Sequence, residues 1–307
     1  MESVHDLIIV GGGPAGFTAG IYAARAGLNA VVLDEGMGGG QAITSPWMEN
    51  YPGYEGISGM DLMMKMKAHA EKNIRVETGV HVDSIRREGD IFHISAGEKG
   101  YQTRSLIFAT GAGYKKLGVS GESKLVGRGV SYCATCDGMF FRGKKVAVIG
   151  GGNSGATEAL HLKHVGADVT LVHRRDALRA EKILQEKLAS EGIKLLLNME
   201  TGEILGESGV TGLRLHNKGT GKEEVHEFGG VFISVGVVPN TGIAVSLGVV
   251  LDSEGFIGTD RKMRTSQPMI YAAGDVTGGL RQVITACAGG AYAAMSAYED
   301  LRTPYWA

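Results

Sequence analysis

Cys133 and Cys136 stand two residues apart in the segment SYCATCDG, residues 131–138, and a carboxylate, Asp137, follows them directly. A cysteine pair at this spacing can be half of a tetrahedral metal site, a structural clip, or a centre that cycles between dithiol and disulfide. The chain has three cysteines in 307 residues. Structural zinc takes four ligands, and the third cysteine, Cys287, makes no second pair by spacing, so no metal site is expected. His161 and His164 share a helical face, but Glu158 and Lys163 beside them read as an ordinary solvated helix. So few cysteines do not make a secreted disulfide scaffold. The start, MESVHD, lacks a basic leader and runs into LIIV, too short for a signal core. No apolar run reaches membrane-spanning length. A cytoplasmic protein is expected, and in that compartment a close cysteine pair is more often catalytic or metal-binding than structural.

The elements that must position this pair are legible around two glycine turns. Residues 6–36 open with an apolar run, LIIV, of the kind found in buried parallel strands. Gly11, Gly13 and Gly16 complete G-x-G-x-x-G around Pro14 and Ala15. A helix to about Arg25 and a second strand over residues 30–33 follow, ending in Asp34 and Glu35. Such glycines permit a tight turn and bring backbone N–H groups to a pyrophosphate at a helix N-terminus. An acid about 20 residues further on accepts hydrogen bonds from ribose hydroxyls. The spacing leaves open whether Asp34 or Glu35 is that acid.

The same grammar recurs over residues 144–180. A strand over residues 146–149 leads into Gly150, Gly152 and Gly155, with Asn153 and Ser154 between the last two. The second strand, residues 167–172, ends in His173, Arg174 and Arg175 instead of an acid. Guanidinium groups bind a 2′-phosphate by charge-assisted hydrogen bonds, whereas an acid would repel it. Arg179, four residues past Arg175, is expected one helical turn on, closing the clamp. One unit therefore prefers an unphosphorylated ribose and the other NADP, which suggests FAD and NADPH. A strand ending at Ala273, Gly274 and Asp275 puts a carboxylate where flavin ribitol would lie, and a helix follows it. Residues 106–112, holding Thr110 and Gly111, and residues 231–240, holding Gly236, are matching strands that end in glycine.

The FAD signals lie at both ends of the chain and the NADPH signals between them. The expected fold is α/β with two Rossmann-like dinucleotide-binding domains, the NADPH domain inserted into a split FAD domain. The boundaries expected are residues 1–114, 115–241 and 242–307. The crossings near residues 112–115 and 239–242 would form a paired hinge. Residues 60–72 read as a helix whose methionines fill core.

GGGPAG, GGGQ, ENYPG, ATGA, GRGVSYCATCDG, VAVIGGGNSG, HRRDALRA, AAGDV and RQVITA together resemble the low-molecular-weight thioredoxin reductases over essentially the whole chain. The resemblance implies an NADPH-dependent reductase of thioredoxin or a thioredoxin-like protein, usually a homodimer. It implies that Cys136 takes electrons from flavin, that Cys133 attacks the partner disulfide, and that Asp137 is the acid–base group. It assigns Gly40, Gln41, Asn50, Val82, Asp275, Arg281, Gln282 and Val283 to FAD. It places Arg128, Phe140 and Phe141 near the docking surface, and it implies an NADPH domain that swings between two poses.

Formal net charge is −2, without the basic excess of a nucleic-acid binder. The 49 glycines are not periodic, which excludes a collagen-like chain. Two rivals share part of the pattern. A same-fold flavoprotein would take electrons from ferredoxin or a deazaflavin, or pass them to a glutaredoxin-like acceptor; the intact HRRDALRA favours NADPH. A zinc-clipped nucleotide sensor would need ligands that the sequence does not supply.

Overall fold

The computed structural model describes residues 4–45 and 47–304. They divide into two compact units, one running to Gly113 and resuming at Val238, the other Tyr114–Val237. The second crossing thus falls before the expected boundary at residue 242. The reason is a clasp within the first unit. Thr110 Oγ1 donates to the Asn240 carbonyl at 2.7 Å, Asn240 Nδ2 donates to the Thr110 carbonyl at 2.8 Å, and Asn240 N–H donates to the Gly111 carbonyl at 3.0 Å.

The first unit is built on five parallel strands in the order Ile270–Ala272, Leu106–Phe108, Leu7–Val10, Ala30–Asp34, Arg75–Thr78. LIIV and AVVL are continuous apolar runs because both faces of this sheet are covered. Helices Pro14–Arg25 and Val283–Arg302 pack closely on each other. A side chain at Gly290 would overlap the Ala15 carbonyl, so glycine sets that approach. Helix Gly59–Glu71 buries Met63 and half-buries Met66, but leaves Met60 and Met64 exposed. Only half of its methionines are core, because the helix lies on the surface with a single face turned inward.

The second unit repeats the plan. Its parallel strands run Lys194–Leu196, Asp168–Val172, Lys145–Ile149, Gly230–Ile233, Val130–Ser131. The outermost strand comes from the far end of the chain in the first unit. Here it precedes the glycine turn and feeds straight into Cys133. Each unit also carries a three-stranded antiparallel sheet, Ser84–Glu88, Ile91–Ala96, Lys99–Thr103 in the first and Met199–Leu205, Gly212–Asn217, Glu223–Glu227 in the second.

Candidate functional site: two nucleotide turns and a cysteine pair

In both units the strand before the glycine motif turns sharply into a helix. Gly11 and Gly150 have φ of 106° and 138°, in the left-handed range that favours glycine. A side chain at Gly16 would overlap the Gly11 carbonyl, and one at Gly155 the Gly150 carbonyl. Around Gly152 there is open space instead. The first and third glycines thus serve packing, and the second leaves room for a ligand to reach the backbone.

The two strand-end residues occupy equivalent places. Asp34 Oδ2 accepts the Gly12 N–H at 2.6 Å, and Oδ1 accepts those of Gly36 and Gly38 at 2.9 and 3.0 Å. Glu35 instead points to the surface and pairs with His81 at 3.0 Å. In the second unit the His173 ring lies against Gly151 as Asp34 lies against Gly12. His173 is buried, its Nε2 has no hydrogen-bond partner, and burial first, then Arg175 and Arg174, push its pKa down. An imidazole there, unlike the Asp34 carboxyl in the first unit, brings no negative charge to the turn.

Arg174, Arg175 and Arg179 are all exposed. The helical turn expected between Arg175 and Arg179 is not formed; the next helix begins at Lys182. An irregular loop brings Arg179 in by its main chain, with the N–H groups of Arg179 and Ala180 donating to the Gly151 carbonyl at 2.7 and 3.1 Å. Asn153 fastens the far end of this loop. Its Nδ2 donates to Glu181 Oε1 at 3.0 Å, and its Oδ1 accepts the Glu181 N–H at 2.8 Å. The Asn153 side chain is therefore committed to the loop, and Ser154 beside it is exposed. Gly236 has φ 122° with open space around it.

The remaining residues expected at FAD fall in the first unit. Gly40 opens a short 3-10 turn, Gly40–Thr44, with φ 56°. Gln41 Nε2 donates to the Ala112 carbonyl. Asn50 Nδ2 donates to Gln282 Oε1 at 3.0 Å. Gln282 caps helix Val283–Arg302 reciprocally with Thr285. Asp275 follows Gly274, whose φ is 80°; burial raises its pKa, and Arg281 opposes that. A half-buried carboxyl of this kind suits a ligand hydroxyl. The Val82 side chain is in the core, so only its main chain is available to a ligand. Glycine turn, strand-end acid, distal carboxyl and capped helix fit a flavin dinucleotide.

Cys133 and Cys136 form a disulfide with their Cα atoms 5.3 Å apart. Cys133 caps the short helix Ala134–Asp137, and the Cys136 N–H donates to Cys133 Sγ at 3.2 Å. Both cysteines are half-buried. Asp137 Oδ2 accepts the Ser131 hydroxyl at 2.6 Å, while the buried Oδ1 has no hydrogen-bond partner. Burial raises the Asp137 pKa, and the Ser131 hydrogen bond works against it. Among the described residues no cluster of three or more His, Cys, Asp or Glu is placed to hold a metal ion.

Met139 and Phe140, just past the helix, are exposed. Phe141 is not at the surface as expected. It is buried and packs edge-on against Phe232 at 5.0 Å. A side chain at Gly230 would overlap its ring, so Phe141 fills space above the sheet. Arg128 is exposed.

Two groups escaped the sequence reading. Glu122 is buried and accepts the N–H groups of Leu117 and Gly118 at 3.0 and 2.7 Å and the Tyr132 hydroxyl at 2.7 Å. Burial first, then this carboxylate, raises the Tyr132 pKa, and its ring stacks on Tyr114 at 5.2 Å. A lone acid in GESK signals nothing of this. Ser131 escaped as well, although its place two residues before the first cysteine was a hint.

A profile of the pyridine nucleotide-disulphide oxidoreductase family matches residues 5–290. A thioredoxin reductase of Listeria monocytogenes is 42% identical over 301 residues, covering 97% of this chain and 94% of that protein. One from Mycolicibacterium smegmatis is 43% identical over 303 residues, 96% of each chain. The crystal structure of thioredoxin reductase from Streptococcus pyogenes matches with a TM-score of 0.92 and 43% identity, covering 99% of this chain and 100% of that one. On this likeness in sequence and fold, the chain belongs to the thioredoxin reductase family of pyridine nucleotide-disulphide oxidoreductases.

Proposed function

We propose that this protein reduces the disulfide of thioredoxin or a thioredoxin-like protein with electrons from NADPH, by way of FAD and the Cys133–Cys136 disulfide. The observation that carries the reading is the cysteine pair with a half-buried carboxyl beside it, in the unit whose nucleotide strand ends in arginines. FAD supplies, when bound, a two-electron carrier between nicotinamide and disulfide. The unit running to Gly113 and resuming at Val238 takes FAD, and Tyr114–Val237 takes NADPH.

Asp34 is the acid for the adenosine ribose. Its carboxyl lies against the Gly12 turn and keeps acceptor capacity beyond the three N–H groups it holds, since a carboxylate offers about four acceptor positions. Asp275 and Arg281 hold the far end of the cofactor. Arg174, Arg175 and Arg179 bind the 2′-phosphate.

Reduction breaks the Cys133–Cys136 bond and leaves two sulfurs with unequal surroundings. The Cys136 N–H at 3.2 Å stabilises a thiolate on Cys133, which makes Cys133 the nucleophile. Its attack forms a mixed disulfide and expels one partner sulfur, which takes a proton from Asp137. The Asp137 carboxylate then takes the proton of the Cys136 thiol. The Cys136 thiolate attacks Cys133 Sγ, re-forms the intrachain disulfide and releases the second partner sulfur, which is protonated from solvent. Burial raises the Asp137 pKa, which favours the protonated carboxyl that the first transfer needs.

The exposed Met139, Phe140 and Arg128 lie close in sequence to the pair and suit a partner surface that is apolar with an acidic rim. A second copy of the chain pairs through helix Val283–Arg302. Ile284, Ala288, Tyr292 and Met295 recur on one face of it and are all exposed. Light scattering should give twice the chain mass, and Tyr292→Lys should halve it; a wild-type monomer would end that assignment. Among the described residues no helix is long and apolar enough to cross a membrane, and NADPH-fed thiol chemistry belongs in the cytoplasm.

An anaerobic reductive titration tests the electron path. The yellow holoprotein should take up about four electrons per chain, two for FAD and two for the disulfide. The Cys133→Ser, Cys136→Ser double variant should take up about two. Equal uptake by both proteins would show that the cysteine pair is not in redox contact with FAD.

A further inference from the structure

Strand Val130–Ser131 ends two residues before the first redox cysteine, and the Ser131 side chain is turned inward, 5% exposed. Its Oγ is the hub of three contacts. It donates to Asp137 Oδ2 at 2.6 Å, accepts the Cys133 N–H at 3.1 Å, and stands 3.4 Å from the Cys133 carbonyl. A hydroxyl has one hydrogen, and the short bond to the carboxyl takes it. Asp137 is thereby tied through one atom to the main chain of Cys133. Its other oxygen, Oδ1, is buried and has no hydrogen-bond partner. A buried acceptor left without a partner is costly, and such groups persist where function uses them.

We propose that Ser131 is the positioning residue for proton transfer in the thiol–disulfide step. Its hydroxyl fastens Asp137 Oδ2 and leaves Oδ1 as the oxygen that gives up and recovers the proton. The inference rests on the acid–base role of Asp137 given above and says which oxygen acts and what holds it. As the partner's S–S bond breaks and its sulfur bonds to Cys133, the Oδ1–H bond breaks and that proton moves to the departing sulfur. Oδ1 then takes the proton of the Cys136 thiol. Ser131 keeps its own hydrogen throughout.

Few other groups compete for control of this carboxyl. Strand Val130–Ser131 carries no titratable side chain, nor does the turn Gly138–Phe141. The packed helix Asn153–His164 carries Glu158, His161, Lys163 and His164. The pKa of His161 is pushed down by burial and then by His164, which favours its neutral form. The titratable groups beside it on its own short helix are the two thiols of the reduced pair. Among the described residues Ser131 is the one hydrogen-bond donor acting on the Asp137 carboxyl, and it favours the charged form.

The sign of the test follows. Asp137 must be protonated to serve the departing sulfur, so turnover falls as pH rises through its pKa. Removing the Ser131 donor raises that pKa further, and the alkaline limb moves to higher pH. The measurement is the pH profile of kcat/KM for thioredoxin with saturating NADPH. Ser131→Ala should shift the alkaline limb upward by at least about half a pH unit and lower the maximal rate roughly tenfold, within the range for a general acid. Ser131→Thr, which keeps the hydroxyl, should restore both. Asp137→Asn should lose the limb altogether; if it keeps the wild-type profile, the acid–base reading of Asp137 fails independently. FAD content and melting temperature report whether each variant folds, and Ser131→Cys serves as donor-poor substitute should alanine destabilise the strand. A folded Ser131→Ala or Ser131→Cys protein with the wild-type limb would overturn the proposal. So would a Ser131→Thr protein that behaves like Ser131→Ala.

Discussion

Cys136→Ser protein keeps its FAD and is still reduced by NADPH, but it turns over no protein disulfide. It also accumulates a covalent adduct with thioredoxin that a reducing agent releases. Turnover needs both sulfurs, because the intrachain disulfide is what delivers two electrons to the substrate and is re-formed in the last step. Serine cannot take that part at neutral pH. The two positions differ in what they leave behind. Without Cys136, Cys133 still attacks, supported by the N–H at 3.2 Å, which belongs to the main chain and survives the substitution. No Cys136 thiolate then carries the exchange forward, so the mixed disulfide accumulates and is lost only by return attack of the expelled partner sulfur. Cys133→Ser also stops turnover but traps no adduct. Non-reducing gel electrophoresis with thioredoxin checks this directly. An adduct formed by Cys133→Ser and not by Cys136→Ser would reverse the order of the two sulfurs.

Replacing Arg174 and Arg175 by alanine lowers kcat/KM for NADPH about 10²-fold or more and leaves NADH nearly unchanged. Each hydrogen bond between charged groups contributes roughly 1.5–3 kcal/mol, and about 1.4 kcal/mol is tenfold in rate. Both guanidinium groups are exposed on an irregular loop, so part of that value is screened by water, which is why 10² and not 10⁴ is expected. Arg179 keeps some phosphate affinity, because its loop is held to Gly151 by main-chain bonds that the substitutions leave alone. The comparison of the two cofactors separates a lost phosphate contact from general damage. Equal losses for NADPH and NADH would remove the pair from the phosphate site.

The glycine turns were legible because their reason is local. Only glycine fits where a Cβ would strike a carbonyl one turn away, and the apolar runs before Gly11 and Gly150 announce strands buried on both faces. The insertion was legible from the order of those turns along the chain. What spacing did not reveal depends on tertiary packing. Arg175 and Arg179 are four apart, which suggested a helical turn, yet the Gly151 carbonyl captures the loop first. Phe140 and Phe141 are adjacent and alike, and only the position of Phe232 decides that one is core and the other exposed. Asp34 and Glu35 are both acids at a strand end. The pleat turns one toward Gly12 and the other toward His81. The antiparallel sheets went unread because segments such as EEVHE and KGYQT alternate weakly and look like polar loops.

The central claim is that electrons of NADPH reach a thioredoxin disulfide through this chain. The most direct measurement is steady-state oxidation of NADPH by the purified FAD-loaded protein, with a panel of oxidised thioredoxin-like proteins and with NADH in a parallel series. The account predicts NADPH oxidation that requires a thioredoxin, saturates with it, and proceeds much more slowly with NADH. NADPH oxidation indifferent to every thioredoxin, or flavin that only ferredoxin or a deazaflavin reduces, would contradict it.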